Sequence, residues 1–299
     1  MQNLHFGSGL AMAALLTLTL TGCNTSGATE PAASGKASAG ATSEMYSAKL
    51  HDSLPADIRD RGTVLMTADA SRPPKAFHDE TGALVGYVPD LSAALSDVLG
   101  VEFVFPELAK FDAILVGVDS GRFDSAAFDN TVERRAKYDF VDVMDTGFGI
   151  GVAKGNPKNL SIDNLCGASV ASGKGDIMTT VILPETSGKC EAAGKQPITI
   201  LTFDDASQAT LSVHAGRADA FAQDAVTVGY MAQADADKYE ALNGSINTHT
   251  WGFAFKKGSD IAPQVYEAMK ILKENGTLTK ILGKYGVEDL AIDEIQLYN

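Results

Sequence analysis

Residues 62–105 read GTVLMTADASRPPKAFHDETGALVGYVPDLSAALSDVLGVEFVF, and their pattern indicates the class of fold. Residues 63–68 form a short apolar run that predicts a buried strand. Apolar side chains then recur at helical spacing from Leu91 to Leu99, and Gly100 is placed to end that helix. From Val101 to Phe105 every second residue is a core candidate, which predicts another strand. The order strand, helix, strand predicts an α/β fold.

The same alternation continues along the chain. We expect strands around Val170 and at residues 198–201, 220–222 and 251–255, and helices after Asp176, at residues 206–215 and at residues 261–272, the last closed by Asn275 and Gly276. A chain of 299 residues with 45% hydrophobic content can bury one large core or two modest ones. Because the strand and helix pattern occurs in two sets, we favour two lobes.

The N-terminal region has the pattern of an export signal. The first 22 residues contain no Lys, Arg, Asp or Glu, although such signals usually carry a positive charge, and an apolar run extends from Leu10 to Leu20. That run is too short for a bilayer, which needs about 20 apolar residues, but it has the length of a signal-peptide core. It ends in Leu20-Thr21-Gly22-Cys23, which resembles a lipobox. We therefore expect a lipoprotein signal peptide over residues 1–22 and export, with the protein anchored to the outer face of the cell membrane by lipid on Cys23.

The segment after Cys23 has the composition of a linker. From Asn24 to about Ser53, Ala, Ser, Gly and Thr dominate and large apolar side chains are scarce. Such a segment cannot repay the entropy that folding costs. We expect a flexible tether over residues 23–56.

The cysteine count is consistent with export. If Cys23 carries lipid, Cys166 and Cys190 remain as one pair in an oxidising compartment. A disulfide between them would close a loop of about 25 residues and stabilise the fold by about 3.5 kcal/mol in the chain-entropy model. Two free buried thiols are the alternative. No His lies near either Cys at metal-ligand spacing, so we expect no metal and no cofactor.

Charge and motif content restrict the class of function. The 24 basic and 38 acidic residues give a formal charge of −14, which repels phosphate backbones and disfavours nucleic acid as a partner. The sequence contains no Gly-x-Ser-x-Gly, no His-Glu-x-x-His and no phosphate-binding Gly-rich loop ending in Lys-Ser or Lys-Thr. These observations favour a binding protein over an enzyme.

Five segments in order carry a resemblance to a known family. They are Asp69-Ala70-Ser71-Arg72-Pro73-Pro74 with Gly86-Tyr87-Val88-Pro89-Asp90-Leu91; Gly121-Arg122-Phe123-Asp124 with Thr131-Val132-Glu133-Arg134; Leu165-Cys166-Gly167; Gly216-Arg217-Ala218-Asp219-Ala220; and Gly252-Phe253-Ala254 with Gly276-Thr277-Leu278. Together they resemble the extracellular solute-binding proteins that serve polar amino acid transporters, family 3. The resemblance covers residue 57 to the C-terminus.

This resemblance implies a two-lobe periplasmic-binding-protein fold of type II, with the lobes joined by two crossing strands. Lobe 1 would comprise residues 57–147 and 251–299, and lobe 2 residues 148–250. The implied function is that of a monomeric substrate-binding lipoprotein of an ABC importer. It would capture an amino acid or a related small polar amine or carboxylate between the lobes and present it to permease subunits.

Two charged residues are the main ligand-binding candidates. A zwitterion held out of water needs a cation for its carboxylate and an acceptor for its ammonium group. In proteins similar to this one, the Arg of the Thr-x-Glu-Arg segment holds the carboxylate, and here it is Arg134. Asp224 matches the carboxylate that accepts the ammonium group, although an Asp there is also a good helix cap. A ligand bridging Arg134 in lobe 1 and Asp224 in lobe 2 would supply each lobe with its missing counter-charge and so close the cleft.

Two further candidates have equally plausible structural roles. Phe111 falls where relatives often place an aromatic face against the ligand side chain, but it also has helical spacing to Ile114 and Leu115 for a role in the core. Asp69 falls where relatives contact the distal end of the ligand, but an Asp at the end of a strand is also a common turn residue.

Four positions depart from the family pattern. Arg72 and Lys75 replace common aromatic residues, Asp129 stands where small hydrogen-bonding residues normally hold the ammonium group, and Asp176 replaces a Thr that helps to hold the carboxylate. Asp176 has the alternative role of capping the next helix. Together, the acidic side chains of the cleft would favour a basic ligand; they are Asp69, Asp129, Asp176 and Asp224. Because Arg72 and Lys75 would neutralise two of these charges, the identity of the ligand stays open.

Two other functions are compatible with the same fold. Some proteins of this fold are dehydratases of small cyclic carboxylic acids, which would need a general acid such as Asp176 or Asp129. A ligand-sensing receptor subunit, whose closed form docks on a partner other than a permease, is the other alternative.

Overall fold

The computed structural model describes residues 43–299. The signal peptide expected over residues 1–22, the lipidation site Cys23 and the first part of the tether lie outside the described residues. The helices are α1 (Ala48–Asp52), α2 (Ala56–Arg61), α3 (Tyr87–Leu99), α4 (Phe111–Asp119), α5 (Val132–Arg135), α6 (Leu183–Ala192), α7 (Ala206–His214), α8 (Ala225–Ala234), α9 (Ala262–Glu274) and α10 (Thr277–Gly283). A π-helical turn, Met178–Ile182, leads into α6.

The strands alternate with these helices, as the sequence pattern predicts. They are β1 (Thr63–Thr67), β2 (Ser71–Arg72), β3 (Ala76–His78), β4 (Leu84–Val85), β5 (Glu102–Val104), β6 (Ser125–Asn130), β7 (Tyr138–Ala153), β8 (Ser169–Gly173), β9 (Thr199–Phe203), β10 (Ala220–Asp224), β11 (Tyr239–Ala241), β12 (Ile246–Lys256) and β13 (Ala291–Tyr298). The predicted end of α3 is confirmed, because Gly100 adopts φ 67° there and donates its N–H to the Ser96 carbonyl. Glycine takes this left-handed conformation without the steric cost that a side chain would add.

The tether prediction was wrong at its C-terminal end, because ordered structure begins well before residue 56. Ser47 caps α1 by accepting a hydrogen bond from the Leu50 amide, and its own N–H donates to the Val98 carbonyl of α3 at 2.9 Å. Leu54 is buried in the same hydrophobic cluster as α3. The few apolar side chains of this segment lie near its C-terminal end, where they pack against the folded domain. The burial of their apolar surface offsets the conformational entropy that is lost on ordering.

One mixed sheet of ten strands runs through the molecule. Its main order is β5-β1-β6-β12-β7-β10-β8-β9, with β11 and β13 also pairing with β7. The strands β5, β1 and β6 are parallel at one end, and β10, β8 and β9 are parallel at the other. The two long central strands, β7 and β12, are antiparallel to each other and pair from Tyr138 to Phe148.

Two sets of buried side chains lie on either side of this central pair. The largest hydrophobic cluster draws on β1, α3, the first half of β7, the second half of β12 and α9. Another cluster draws on the second half of β7, β8, α6 and β10. We call the first side lobe 1 (α2–α5, β1–β6, α9, α10 and β13) and the second side lobe 2 (α6–α8 and β8–β11). The strands β7 and β12 cross between them.

A disulfide joins Cys166 to Cys190 within lobe 2. It links the segment that precedes β8 to α6, and Cys190 is buried in the core of that lobe. The pairing that the sequence favoured is therefore present. Between residues 43 and 299, no helix has the length and apolar character that crossing a bilayer requires.

Candidate functional site

The facing edges of the two lobes carry a cluster of buried charged side chains beside the crossing strands. All seven ligand-binding candidates from the sequence belong to it: Asp69, Arg72, Phe111, Asp129 and Arg134 from lobe 1, and Asp176 and Asp224 from lobe 2. The structure adds two residues, Lys75 from lobe 1 and His249 from the crossing strand β12. We call these nine residues the cleft cluster.

The loop between β1 and β3 presents two of the cations. Asp69 begins the loop and accepts hydrogen bonds from the amide and hydroxyl of Ser71, at 3.0 and 2.6 Å. Its other carboxylate oxygen accepts a 2.9 Å hydrogen bond from Arg72 Nε. Asp69 therefore acts as a turn residue, one of its two predicted roles, and orients the Arg72 guanidinium.

A close backbone contact fixes Lys75 at the end of the same loop. The amides of Tyr87 and Val88, at the start of α3, donate to the carbonyls of Pro74 and Lys75 at 3.1 and 2.9 Å. Gly86 has φ 129°, and a Cβ there would lie 2.2 Å from the Lys75 carbonyl oxygen. A glycine is therefore needed at position 86 for the loop to approach the helix this closely.

Arg72 joins the two lobes. Its Nη2 donates to Asp176 Oδ2 at 2.9 Å, while Asp176 Oδ1 accepts from the Met178 amide at 3.2 Å. Asp176 therefore caps the following helical turn, as the sequence allowed, and also pairs with lobe 1. Burial alone would lower the pKa of Arg72, but the carboxylates of Asp176 and Asp69 outweigh it and raise that pKa above its ordinary value.

Lys75 makes a further contact between the lobes. Its Nζ lies 3.3 Å from Asp224 Oδ2 and 3.7 Å from Asp129 Oδ1. Asp224 is the N-cap of α8, where its Oδ1 accepts a 2.9 Å hydrogen bond from the Thr227 amide. The capping role that the sequence suggested for Asp224 is thus observed together with a position in the cleft.

Arg134 has fewer partners than Arg72. It lies on α5, is 8% exposed, and donates a 3.0 Å hydrogen bond from Nη1 to the Asp129 carbonyl. Its distance to the Asp129 carboxylate, Nη1 to Oδ2, is 3.7 Å. Burial lowers the pKa of Arg134, and the nearby carboxylates of Asp129 and Asp176 do not fully offset it. Arg134 is therefore a buried cation whose charge is incompletely compensated.

Phe111 lies close to both guanidinium groups. The Cζ atoms of Arg72 and Arg134 both lie 5.0 Å from the centre of its ring, a distance at which cations are attracted to an aromatic face. The side chain also packs in a hydrophobic cluster with Ile114 and Phe128. The core role and the cleft role that the sequence left open therefore occur together.

Sequence reasoning did not single out His249. Its Nε2 lies 3.2 Å from Asp129 Oδ1, its Nδ1 lies 2.7 Å from the Asn247 carbonyl, and its ring stacks on Phe148 at 4.4 Å. Burial lowers the pKa of His249, but the contact with Asp129 outweighs it, so the pKa is raised. The signal that would have found this residue is its place in a crossing strand, because such strands line the cleft.

Asp129 is surrounded by positive charge. Burial alone would raise its pKa, but Lys75, His249 and Arg134 together hold the pKa of this carboxyl far below its usual range. Asp129 is consequently ionised at neutral pH and has no proton to donate.

The two lobes touch along the cleft in this arrangement. Besides the buried pairs, Lys174 Nζ lies 3.0 Å from Asp112 Oδ2, and the Ala206 amide donates to Ser71 Oγ at 3.3 Å. The expectation that each lobe lacks a counter-charge until a guest arrives is therefore wrong. Arg72 and Lys75 already supply positive charge to the carboxylates of lobe 2.

Two cavities border the cleft cluster. One, of about 500 Å³, is lined by Pro74, Ala225 and Val226 together with Tyr230 and Tyr285. The other, of about 410 Å³, has His249 in its wall and includes Asn130 and Ile177. Both contain residues from each lobe and from the crossing strands. Across residues 43–299, no group of three or more His, Cys, Asp or Glu side chains is placed to hold a metal ion.

Two lobes, two crossing strands and a charged cleft define a solute-binding protein of the periplasmic type. The sequence matches the bacterial extracellular solute-binding proteins, family 3, over residues 64–288, and the chain belongs to that family. The predicted fold and the substrate-binding role are thereby confirmed.

Named relatives bind amino acids. The arginine-binding protein ArgT of Corynebacterium glutamicum is 32% identical over 243 residues, which cover 81% of this chain and 80% of the relative. The L-cystine-binding protein TcyJ of Escherichia coli is 26% identical over 233 residues, covering 76% and 84%.

Solved structures have the same fold. An ancestral arginine-binding protein bound to arginine superposes with a TM-score of 0.67 at 30% identity, covering 76% of this chain and 99% of that one. AncCDT-1, an ancestral amino acid-binding protein and precursor of cyclohexadienyl dehydratase, gives a TM-score of 0.67 at 29% identity, covering 77% and 97%.

Proposed function

We propose that this protein captures an amino acid or a related small polar carboxylate in the cleft between its lobes and delivers it to an ABC permease. The observation that carries the proposal is Arg134, a buried guanidinium with one hydrogen bond to the backbone and a carboxylate no closer than 3.7 Å. A buried cation in this condition is stabilised by an anion that brings hydrogen-bond acceptors. The carboxylate of a guest supplies both.

The contrast between the two arginines supports this assignment. Arg72 is held by two carboxylates at 2.9 Å and its pKa is raised, whereas the pKa of Arg134 is lowered. Adding an anion beside Arg134 therefore relieves an electrostatic penalty, while adding one beside Arg72 requires competition with Asp69 and Asp176. The planar guanidinium of Arg134 is suited to a carboxylate because it donates two parallel hydrogen bonds.

The other members of the cleft cluster have supporting roles in this proposal. Phe111 forms an apolar wall beside the carboxylate, and Asp224 and Asp129, which contact Lys75, line the opposite side. Arg72, oriented by Asp69, holds lobe 1 against lobe 2 through its hydrogen bond to Asp176. Closure is a rotation about the crossing strands, between lobe 1 (residues 57–147 and 251–299) and lobe 2 (residues 148–250).

The relatives support the class of solute but do not specify which one. The named relatives bind arginine and cystine, which share an α-carboxylate and differ in the rest of the molecule. In this chain the positions that face the ligand side chain in the family carry Arg72 and Asp69, which pair with each other. The proposal therefore specifies that the ligand carries a carboxylate, and a ligand screen is the means to identify its side chain.

We also propose that the protein is exported and attached to the outer face of the cell membrane through lipid on Cys23. The family acts outside the cytoplasm, and the Leu-Thr-Gly-Cys sequence supports the lipid. Phase partitioning of cell extracts in Triton X-114 tests it. Wild-type protein should enter the detergent phase and Cys23→Ala the aqueous phase, and equal partitioning would contradict the anchor.

A binding role without catalysis is part of the proposal. A dehydratase on this fold needs a general acid, and Asp129, one of the two candidates, is held ionised by the three cations around it. The similarity to a precursor of a dehydratase concerns an ancestral amino acid-binding protein, so it is consistent with binding.

A thermal-shift screen tests the proposed function. The purified protein, residues 43–299, is heated with each of the common amino acids and with carboxylates and amines of similar size. A ligand at 100 times its Kd stabilises the protein by about 2.7 kcal/mol, which gives a clear shift. We expect the stabilising compounds to share a carboxylate, and stabilisation by amines that lack one would contradict the role of Arg134.

A further inference from the structure

We infer that the Lys75 ammonium group permanently fills the cation site formed by Asp129 and Asp224, and that the cleft therefore selects a carboxylate that carries no α-ammonium group. This inference rests on the proposed function, in which Arg134 holds the carboxylate of the guest. It assigns a specificity role to a residue that lies outside the family pattern.

The cation site itself is defined by two buried carboxylate oxygens. Asp224 is 2% exposed and Asp129 is 7% exposed. Within the described residues, Asp224 Oδ2 and Asp129 Oδ1 are buried and accept no hydrogen bond of good geometry. His249 Nε2 also lies 3.2 Å from Asp129 Oδ1, whereas Lys75 is the cation that faces both oxygens. Two such oxygens facing the same space create a strong preference for a cation.

Lys75 Nζ occupies the space between these two oxygens. It lies 3.3 Å from Asp224 Oδ2 and 3.7 Å from Asp129 Oδ1. It also lies 5.5 Å from the centre of the Trp251 ring, which adds a favourable cation–π contact. The ammonium group of an α-amino acid would compete for the same position.

The backbone around Lys75 makes displacement costly. The loop is fixed to α3 by the hydrogen bonds of the Tyr87 and Val88 amides, and the Lys75 side chain is 8% exposed. Moving Nζ away from both carboxylates without leaving the closed cleft would bury an unpaired charge. Lysine therefore keeps its place when a guest enters.

Lys75 also keeps a partner when the lobes separate. Asp129 belongs to lobe 1, as Lys75 does, whereas Asp224 moves with lobe 2. In the open form the ammonium group remains beside Asp129, and closure adds Asp224. A guest that brings a second ammonium group to this position meets the repulsion of two like charges at short range. A guest with a second hydrogen in place of the α-ammonium group avoids that repulsion and still binds Arg134.

Calorimetric titration with matched pairs of ligands tests the inference on the wild-type protein. The pairs are L-arginine with 5-guanidinopentanoate, L-glutamine with glutaramate, and L-lysine with 6-aminohexanoate, which differ in the α-ammonium group. In each pair that binds, we expect the partner without the α-ammonium group to bind at least as tightly. Tighter binding of the amino acid would overturn the inference.

The variant Lys75→Met removes the charge and keeps much of the side-chain length. In this variant we expect the ratio of the two Kd values to shift toward the amino acid by about tenfold, or about 1.4 kcal/mol. Lys270→Met, on the surface of α9, serves as the matched control, and its ratio should equal that of the wild type. An unchanged ratio in Lys75→Met would also overturn the inference.

Failure of the inference can be separated from failure of the proposed function. If the amino acids bind better than their partners and Arg134→Ala abolishes that binding, the inference fails and the proposed function stands. If neither member of any pair binds the wild type or Lys75→Met, both fail together. The wild-type titrations decide the matter even if Lys75→Met does not fold.

Discussion

The guanidinium of Arg72 in lobe 1 donates a 2.9 Å hydrogen bond to the carboxylate of Asp176 in lobe 2, and both side chains are buried. This ion pair crosses the cleft. Closure of the lobes is therefore favoured partly by the charges of the protein itself, and the guest adds to an attraction that already exists. The resemblance implies a Thr at the position of Asp176, so a Thr there would lack the charge that makes this ion pair.

The variant Asp176→Asn tests the importance of this pair. Removing one partner of a buried ion pair costs about 3 kcal/mol, because the remaining charge loses compensation. We expect that loss in urea unfolding, together with a larger radius of gyration in small-angle scattering. Asp235→Asn, which breaks the half-buried contact with Lys238 at the protein surface, should cost less than about 1 kcal/mol. A loss in Asp176→Asn no greater than this control would contradict the account.

The raised pKa of His249 predicts a pH-dependent contribution to stability. A histidine whose pKa is higher in the folded than in the unfolded state stabilises the fold fully below its unfolded pKa, 6.5, and loses this effect as the pH rises through the folded value. The difference in unfolding free energy between wild type and His249→Gln should therefore be larger below pH 6.5 than at about pH 9.

Asp129 provides the control for that experiment, because its carboxylate raises the pKa of His249. Asp129→Asn removes the carboxylate charge that faces His249 and nearly keeps the size of the side chain. In this background the pH dependence attributed to His249 should largely disappear. If the pH dependence persists unchanged, the raised pKa of His249 does not come from Asp129.

The disulfide between Cys166 and Cys190 should stabilise lobe 2. Its loop is set by a sequence separation of 24, and replacing both cysteines with serine should reduce the free energy of unfolding by about 3.5 kcal/mol. Urea unfolding of the oxidised wild type and the double variant measures the difference. Equal midpoints and slopes would show that the bridge does not constrain the unfolded chain as expected.

Much of the fold follows from local patterns in the sequence. The strand at residues 63–67, the helix that ends at Gly100 and the following strand are visible because their periodicity and end signals are local. The end of the tether was misplaced because Leu54 becomes buried through contacts with residues far along the chain. The amino-acid composition of a short segment does not show such long-range contacts.

Seven of the nine members of the cleft cluster were predicted from the sequence, but the contacts between them were not. Motif positions brought forward Arg134, Asp224 and Asp176, and the structure places all three in one cluster. Which cation faces which carboxylate depends on side-chain conformation and on the approach of the lobes, neither of which sequence spacing encodes. The roles of Lys75 and His249 follow from these long-range contacts, so they became visible in the structure.

The most direct test of the account is calorimetric titration of Arg134→Ala with the compound that gives the largest thermal shift. Arg122→Ala, which changes an exposed arginine on lobe 1 paired with Glu107, is the matched control. We predict that Arg134→Ala weakens binding by about 100-fold or more, as truncation of a buried charged partner does, and that Arg122→Ala binds as the wild type does. A Kd in Arg134→Ala equal to that of the wild type, with the protein folded, would contradict the central claim.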